Sequence, residues 1–248
     1  MRFEQADFMR AVLIAAVTIS PLAQGQEGDN WEGEAELGVL ISSGNTDESI
    51  VNTRLGLKHE VERWRNLGEF SSKYSESNDE TTAEQYEAMA ETNYRFHEQN
   101  FWFLRGEYAD DRFSGYDFES SASTGYGNRV WMEGERSFLD LSVGAGYRYN
   151  KLDEVNADGD DAEEEAIIRL AAKFDYALSE NALFRQKLSA EIGLDENNRI
   201  TQSETSLKTN IVGNLSMKAA FRVKHASQVP DDKKKTDTET SLSLLYGF

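Results

Sequence analysis

The feature that most constrains the fold is a regular alternation of apolar and polar residues that begins at Trp31 and recurs to the C-terminus. In one segment Leu139, Leu141 and Val143 alternate with Asp140 and Ser142. Successive side chains of a β-strand point to opposite faces of the sheet, whereas an α-helix would scatter these charges around its circumference. The period of two therefore predicts an all-β fold.

About twelve segments carry this pattern, and most contain 9–14 residues. Strands of that length are longer than is usual in soluble proteins and suit a tilted crossing of a bilayer. Two segments are irregular, because 67–75 is weakly apolar and Trp131 falls on the polar face of its strand. The predicted strands lie near residues 31–42, 50–62, 67–75, 85–97, 101–109, 120–132, 137–150, 165–178, 183–194, 204–212, 215–226 and 237–248.

The predicted connections alternate between short and long. The short ones are 63–66, 98–100, 133–136, 179–182 and 213–214. The long ones are 43–49, 76–84, 110–119, 151–164, 195–203 and 227–236. Outer-membrane barrels show the same alternation, because their periplasmic turns are short and their outer loops are long. The sequence thus predicts a transmembrane antiparallel up-and-down β-barrel of about twelve strands, with both termini in the periplasm.

Composition excludes several classes of partner and site. The chain of 248 residues has 26 Lys and Arg against 45 Asp and Glu, a net charge of −19, which argues against nucleic acid as a partner. Most of the negative charge lies in the long connections, so it belongs to one predicted outer rim. The chain has no Cys, which rules out disulfides and Cys-ligated metals.

The N-terminal segment has the pattern of a secretory signal peptide. Arg10 precedes an uncharged run over 11–20, and the small residues Ala23 and Gly25 follow. We predict a signal peptide over residues 1–25, with Met9 as an alternative start, and an outer-membrane barrel over residues 26–248.

The C-terminal segment is an alternating strand that ends with Tyr246 and Phe248. A terminal Phe with an aromatic residue two positions earlier resembles the signal that the bacterial barrel-assembly machinery reads. An open strand edge can pair with such a factor by strand addition. The sequence therefore predicts that the protein is located in the outer membrane and that the assembly machinery is one of its partners.

Alternation alone does not say whether the apolar face meets lipid or encloses a ligand. The number of strands, the C-terminal signal and the aromatic residues near strand ends favour lipid. Those aromatic residues are Trp31, Phe96, Trp102, Tyr149, Tyr176 and Phe184. The alternative is a soluble periplasmic β-barrel that binds an apolar ligand.

On the membrane interpretation the polar face lines the lumen. The lumen-lining candidates are Glu32, Glu34, Glu36, Arg148, Arg169, Lys173, Lys187, Arg222 and Lys224. Charges inside a narrow barrel must pair with each other or meet water. Two possibilities stay open: a sealed, ion-paired interior, or a small water-filled pore whose basic rows favour anionic solutes.

The longest connection contains a sequence with the spacing of a calcium-binding loop. Its oxygen ligands would be Glu154, Asn156, Asp158, Asp160 and Glu165, with Gly159 at the sharp turn. Asp is usual where Glu154 stands, and helices usually flank such loops, so a solvated acidic loop is the favoured interpretation. Divalent cations that bridge the loop to lipopolysaccharide phosphates are a further possibility. No other cofactor is predicted.

The sequence gives little support for catalysis. The chain has three histidines, His59, His97 and His225, and none lies in a motif with Ser or Asp. We therefore expect no catalytic residues and no enzymatic activity, with a barrel-borne outer-membrane hydrolase as a less favoured alternative.

Three motifs together resemble the YdiY-like family of salt-induced outer-membrane proteins of Gram-negative bacteria. They are Trp31-x-Gly33, Ser43-Gly44-Asn45-Thr46 and Gly144-Ala145-Gly146-Tyr147-Arg148-Tyr149. The resemblance runs from Trp31 to Phe248 and implies an outer-membrane barrel linked to osmotic or salt stress. It implies contact with outer-membrane lipid and lipopolysaccharide, transfers no catalytic residue and says nothing of oligomeric state.

Overall fold

Twelve β-strands form the regular structure of the residues that the computed structural model describes, which are 30–42, 48–78, 80–155, 159–195, 198–229 and 233–248. The predicted signal peptide, 1–25, and the Ser43-Gly44-Asn45-Thr46 motif lie outside these residues. The strands are β1 Trp31–Ser42, β2 Glu48–Val61, β3 Trp64–Ser77, β4 Glu80–Arg95, β5 Asn100–Asp111, β6 Tyr116–Glu133, β7 Ser137–Leu152, β8 Ala162–Ala177, β9 Ala182–Gly193, β10 Arg199–Val212, β11 Leu215–Ala226 and β12 Thr236–Gly247.

The strands close into a single antiparallel barrel. Each strand pairs with its neighbour in sequence, and β1 pairs with β12 to complete the ring. The predicted twelve-stranded up-and-down barrel is therefore confirmed. Among the described residues, none belongs to a helix with the length and apolar character needed to cross a membrane.

The two faces of the barrel have opposite chemistry. On β8, Leu170 is 43 % exposed on the outside, whereas Arg169 and Asp175, on the other face, are 7 % and 3 % exposed. Lys224 of β11 reaches Glu119 of β6 at 3.0 Å. These two strands lie far apart around the ring, so their side chains can meet only across the inside. Charges inside and apolar residues outside are the arrangement of a barrel in lipid, not of a soluble barrel with an apolar cavity.

At the barrel end that carries the long connections, several strands extend further than the sequence predicted. They contain 12–18 residues, and the predicted loop 76–84 is wrong, because β3 runs to Ser77 and β4 starts at Glu80. Asn78, at the tip, has a φ of 52°. Asn tolerates this left-handed conformation, which allows a tight hairpin turn. Polar residues such as Glu76 and Glu84 are therefore strand residues.

A β-bulge explains why Trp131 falls on the wrong parity. The pairing of β6 with β7 shifts by one residue between Arg129 and Trp131. An extra residue in one strand reverses the faces of all residues beyond it. Trp131 consequently lies on the outer face, where its ring is 5.9 Å from that of Phe174.

Aromatic side chains gather on the outer face at both ends of the strands. Near the short turns, the ring of Trp64 lies 5.0 Å from that of Tyr94, and Phe174 lies 6.3 Å from Phe184. At the other end, Phe118 packs between Tyr108 and Tyr149, at 5.6 and 5.9 Å. Two such belts are typical of the levels at which a barrel meets the lipid headgroups.

The seam between β1 and β12 is shorter than the other strand pairings. β1 pairs with β2 through all twelve of its residues, but with β12 only from Glu34 to Leu37. Gly33 and Phe248 extend the seam with reciprocal backbone hydrogen bonds of 2.7 and 2.9 Å. The barrel is therefore closed mainly at the end with the short turns.

Candidate functional site

The candidate site is the barrel interior, where charged side chains from all sides of the ring meet. Alternation places every second residue of a strand inside, so a run such as Glu32, Glu34 and Glu36 shares one face. These three carboxylates lie at successive depths from the short-turn end. Each has a lysine partner: Lys58 for Glu32 at 3.2 Å, Lys208 for Glu34, and Lys218 for Glu36 at 2.7 Å.

A layer of ion pairs crosses the middle of the interior. We define the constriction layer as Glu36, Arg54, Glu69, Glu204 and Lys218. Arg54 Nε lies 3.3 Å from a Glu69 oxygen, and Arg54 Nη1 lies 3.7 Å from Glu204. Glu204 also accepts a hydrogen bond of 2.9 Å from Nε of Arg222. Arg54 therefore joins two acidic residues from different sides of the ring, and the layer partly fills the lumen.

Further ion pairs brace the half of the interior next to the long connections. Lys224 donates to Glu119 across the lumen at 3.0 Å, and Lys73 donates to Glu239 at 2.9 Å. The second pair joins β3 to β12 across the short β1–β12 seam. Arg222 lies 3.9 Å from the other oxygen of Glu239. The Lys224–Glu119 and Lys73–Glu239 pairs connect strands that share no backbone hydrogen bonds.

Arg148, in the third family motif, is the centre of a buried network. Its guanidinium contacts Glu165, lies 3.6 Å from Glu191 and donates to the carbonyl oxygen of Asn198 at 3.0 Å. Arg169 shares Glu191 at 3.8 Å. Arg148 is only 3 % exposed, so these partners balance its charge where water has little access.

The remaining two predicted lumen residues, Lys173 and Lys187, are directly opposite each other on β8 and β9. The nearest carboxylates on their own strands are held by arginines: Asp175 accepts two hydrogen bonds of 2.7 Å from Arg185. Within the described part of the chain, neither lysine has a carboxylate oxygen within 4.0 Å. Like charges that face each other on adjacent strands repel.

The glycines of the third motif allow an aromatic side chain to fill the interior. A Cβ atom on Gly144 would lie 2.5 Å from the carbonyl oxygen of Thr124 and 2.7 Å from the ring of Phe103. A Cβ atom on Gly146 would lie 2.2 Å from the carbonyl oxygen of Ala122. Phe103 is 2 % exposed. The motif is therefore a packing element that lets β6 and β7 approach closely.

The first motif and the C-terminal signal contact each other. The ring of Phe248 lies where a side chain on Gly33 would be, with its Cε2 atom 2.2 Å from that Cβ position. Tyr246 pairs with Ala35 on the adjoining strand and is 50 % exposed on the outer face. Gly33 is thus the residue against which the last side chain packs when the barrel closes.

The predicted calcium loop has a different arrangement from the one its spacing suggested. Glu165 is a residue of β8 that points inside and contacts Arg148, so it would have to leave this partner to serve as the twelfth ligand. Glu154 is exposed, and Asn156 and Asp158 lie outside the described residues, as part of the gap between 155 and 159. Asp160 lies in the connection. Among the described residues, no group of three acidic or His side chains is arranged to hold a metal ion.

The three histidines occupy separate places near strand ends. His59 stacks on Trp31 with ring centroids 4.3 Å apart, and His97 packs against the ring of Phe96. His225 lies 2.8 Å from the hydroxyl of Thr236. The expectation that the protein is not an enzyme stays a prediction.

Two cavities lie one above the other in the interior. The larger, of about 380 Å³, opens towards the long connections and is lined by residues such as Lys73, Tyr116 and Lys233. The smaller, of about 70 Å³, lies below it, and Arg185 and Lys187 are among its lining residues. Glu36 and Arg54 line both cavities, which places the constriction layer between them.

Sequence reasoning missed several residues of this interior. Arg54 and Lys218 were not among the predicted lumen residues, although both are charges on the polar parity of their strands, and that parity is the signal that could have found them. Glu69 lies in the weakly apolar segment, and Asp140 lies in β7 on the same polar face as Arg148. The partner that each charge selects depends on the stagger of the closed ring, which parity does not contain.

Solved structures similar to this chain include outer-membrane β-barrels. The translocator domain of the autotransporter NalP from Neisseria meningitidis is 11 % identical, with a TM-score of 0.50, over 98 % of this chain and 97 % of that chain. A KdgM porin in complex with disordered oligogalacturonate is 13 % identical, with a TM-score of 0.43, over 88 % and 99 % of the two chains. The outer-membrane channel DcaP of Acinetobacter baumannii is 10 % identical, with a TM-score of 0.40, over 88 % and 95 %. At such identity, the likeness to the NalP domain shows the fold alone.

A search among curated proteins finds no match. A family model described as "Protein of unknown function, DUF481" matches residues 35–248. The match covers the barrel from the first strand to the last residue. The chain therefore belongs to the DUF481 family, which is the YdiY-like family that its motifs indicated.

Proposed function

We propose that the protein resides in the outer membrane and passes small polar solutes through its interior. The observation that carries this proposal is the stacking of two polar cavities, of about 380 and 70 Å³, on either side of the constriction layer. Side-chain ion pairs separate the cavities, and side chains in contact with water can rearrange more easily than a packed apolar plug. The small size of the lower cavity limits passage to solutes of a few atoms.

Single-channel recording in planar bilayers tests this function. The purified barrel should give steady conductance steps. Replacing Arg54 and Glu204 together by Ala removes one positive and one negative charge from the constriction layer, so we expect larger steps without a change in net charge.

The matched control removes a charge pair from β2, the strand that carries Arg54, but outside the constriction layer. Lys58 and Glu60 form an ion pair of 2.9 Å at the short-turn end of β2, and about a third of each side chain is exposed. Their joint replacement by Ala should leave the step size nearly unchanged. Silent bilayers with both the wild type and the Arg54/Glu204 variant would contradict a pore.

A second candidate function is mechanical support of the envelope under osmotic or salt stress, as the family resemblance implies. The pairs Lys224–Glu119 and Lys73–Glu239 favour it, because they brace the lumen between strands that are not neighbours. A deletion strain should then grow poorly at high salt and recover with a non-conducting barrel. Recovery only with conducting variants would favour the pore instead.

The outer-membrane location and the partners form part of the same proposal. The apolar outer face and the aromatic belts fit a bilayer, and the C-terminal Phe248 fits recognition by the assembly machinery. The acidic ends of the long connections fit divalent bridges to lipopolysaccharide. Membrane fractionation together with heat-modifiable migration on a gel tests the location, and recovery in the soluble periplasmic fraction would contradict it.

A further inference from the structure

The half of the interior next to the short turns holds more cations than carboxylates. We define the cationic cluster as Arg65, Arg129, Lys173, Arg185 and Lys187. All five lie within a few residues of the short-turn ends of β3, β6, β8 and β9. Two carboxylates lie among them, Asp140 and Asp175. Five cations and two carboxylates leave an excess of three positive charges.

Each of the two carboxylates is already paired with an arginine. Asp140 accepts hydrogen bonds of 2.7 and 2.8 Å from Nε and Nη2 of Arg129. Asp175 accepts two hydrogen bonds of 2.7 Å from Arg185. Bidentate pairs of this kind are the strongest that a carboxylate forms with a side chain. They leave Lys173, Lys187 and Arg65 with the unbalanced charge.

Other acidic residues near the cluster are also held elsewhere. Glu91 accepts from Arg105 at 2.9 Å, Glu60 lies 2.9 Å from Lys58, and Glu69 lies 3.3 Å from Arg54. Glu204, directly opposite Lys187 on β10, accepts from Arg222 at 2.9 Å. Within the described residues, none of their oxygens comes within 4.0 Å of the three unbalanced cations. These carboxylates reduce the local potential but do not neutralise the cluster.

Two of the three unbalanced cations, Lys173 and Arg65, lie against aromatic rings. The Lys173 ammonium lies 5.2 Å from the ring centre of Phe138, and Arg65 lies 5.4 Å from that of Phe101. The Nε atom of Arg65 is buried and donates to no acceptor among the described residues. Lys173 faces Lys187 on β9, and Arg65 and Arg185 add to the repulsion on Lys173. Asp140, opposite Lys173 on β7, and Asp175 offset only part of this repulsion, because each is paired with an arginine. A mobile counter-charge would remove this repulsion.

We propose that the cationic cluster binds a small tetrahedral oxyanion, phosphate or sulfate, inside the barrel. Ammonium groups bind phosphate as point charges, and a guanidinium Nε–H supplies a directed donor. The adjoining cavity of about 70 Å³ is lined by Arg185 and Lys187 of the cluster and also by four carboxylates, each of which has a basic partner: Glu34 with Lys208, Glu36 with Lys218, Glu69 with Arg54 and Glu204 with Arg222. The cavity has room for a few water molecules and matches an inorganic ion better than a sugar or nucleotide. The proposal does not require that the barrel conducts.

Titration of the detergent-folded barrel with sodium phosphate at constant ionic strength tests this site. The readout is the temperature at which the compact gel band converts to the unfolded band, with chloride as the replaced anion. We expect a saturable rise with phosphate, because a ligand that binds only the folded state stabilises it. Sulfate should compete with phosphate. The absence of any saturable rise in the wild type would overturn the proposal.

Substitution of the lysines locates the effect. Lys173→Gln and Lys187→Gln should each weaken the apparent phosphate affinity about tenfold, the cost of one charge-assisted contact. Both variants lose repulsion, so we expect them to fold. Lys224→Gln removes an equal charge from the other half of the lumen, where Lys224 has Glu119 as a partner. Equal weakening in all three variants would show general screening and refute a localised site.

The test is separable from that of the pore. A barrel that binds phosphate but gives no conductance steps would retain the site and reject the pore. A barrel that conducts but shows no saturable stabilisation by phosphate would retain the pore and reject the site.

Discussion

The close approach of β6 and β7 at Gly144 predicts a specific loss of stability. In Gly144→Ala, the new Cβ atom would lie 2.5 Å from the Thr124 carbonyl oxygen and 2.7 Å from the Phe103 ring. The ring can shift, but the carbonyl belongs to a backbone that is paired on both sides, so the strands must separate. Overpacking of this kind costs about 1–3 kcal/mol.

Gly106→Ala is the matched control. Gly106 lies in β5, next to the inward Arg105, and nothing lies within 4 Å of its Cβ position. Replacing a strand glycine by Ala reduces the entropy of the unfolded chain and stabilises by about 0.5–1 kcal/mol. This entropic gain applies to both variants, so the difference between them measures the clash, about 1–3 kcal/mol.

Urea unfolding of the barrel in lipid vesicles, followed by tryptophan fluorescence, measures both variants. We expect Gly106→Ala to be slightly more stable than the wild type and Gly144→Ala to be clearly less stable. Adding Phe103→Leu to Gly144→Ala should recover only part of the loss, because the contact with Thr124 remains. Equal stability of the two alanine variants would refute the close approach of β6 and β7.

Three further predictions concern the seam, the outer face and a connection. Gly33→Leu should displace the Phe248 ring and reduce the heat-modifiable fraction, and a second change, Phe248→Ala, should restore it. Leu170→Arg puts a charge on the lipid face and should cost about 2–4 kcal/mol in urea unfolding if the residue is near the bilayer midplane. The hydrogen bond from Lys151 lowers the pKa of Asp161, so this contact contributes above the ordinary pKa of Asp and is lost as the pH falls through the lowered value. Lys151→Gln should return the Asp161 pKa to its ordinary value in a carboxyl NMR titration, and an unchanged value would contradict the pairing.

Sequence periodicity was sufficient to predict the barrel because it reports directly on which side chains share a face. It located β1 and β11 to the residue, where turn residues and the pattern coincide. It ended β3 too early and began β4 too late, because strand residues near the rim of a barrel, such as Glu76 and Glu84, meet water on both faces and lose the alternation. It also could not foresee the bulge before Trp131, since an inserted residue changes the parity without changing the composition.

The candidate site was less predictable than the fold. Parity indicated that Lys173 and Lys187 would point inside, but only the register of β8 with β9 sets them directly opposite. The calcium spacing at Glu165 has the same limit, because spacing does not contain the register that places Arg148 directly across from this residue. Contacts between distant segments depend on strand pairing and stagger, and local patterns carry no information about either.

The reciprocal hydrogen bonds between Gly33 and Phe248 hold the two ends of the barrel sequence side by side. The chain could therefore begin at a different strand without any change in the order of strands around the ring. Phe248 could be joined to Trp31 by a short linker and the chain opened in the turn at 134–136. The resulting circular permutant would keep every strand pair, and only the covalent turn between β6 and β7 would be lost. Its last strand would end at Trp131-Met132-Glu133, without a terminal aromatic residue. Such a chain should refold in detergent yet fail to reach the membrane in cells if the terminal Phe is the address that the assembly machinery reads, so it would distinguish a residue that closes the barrel from one that delivers it.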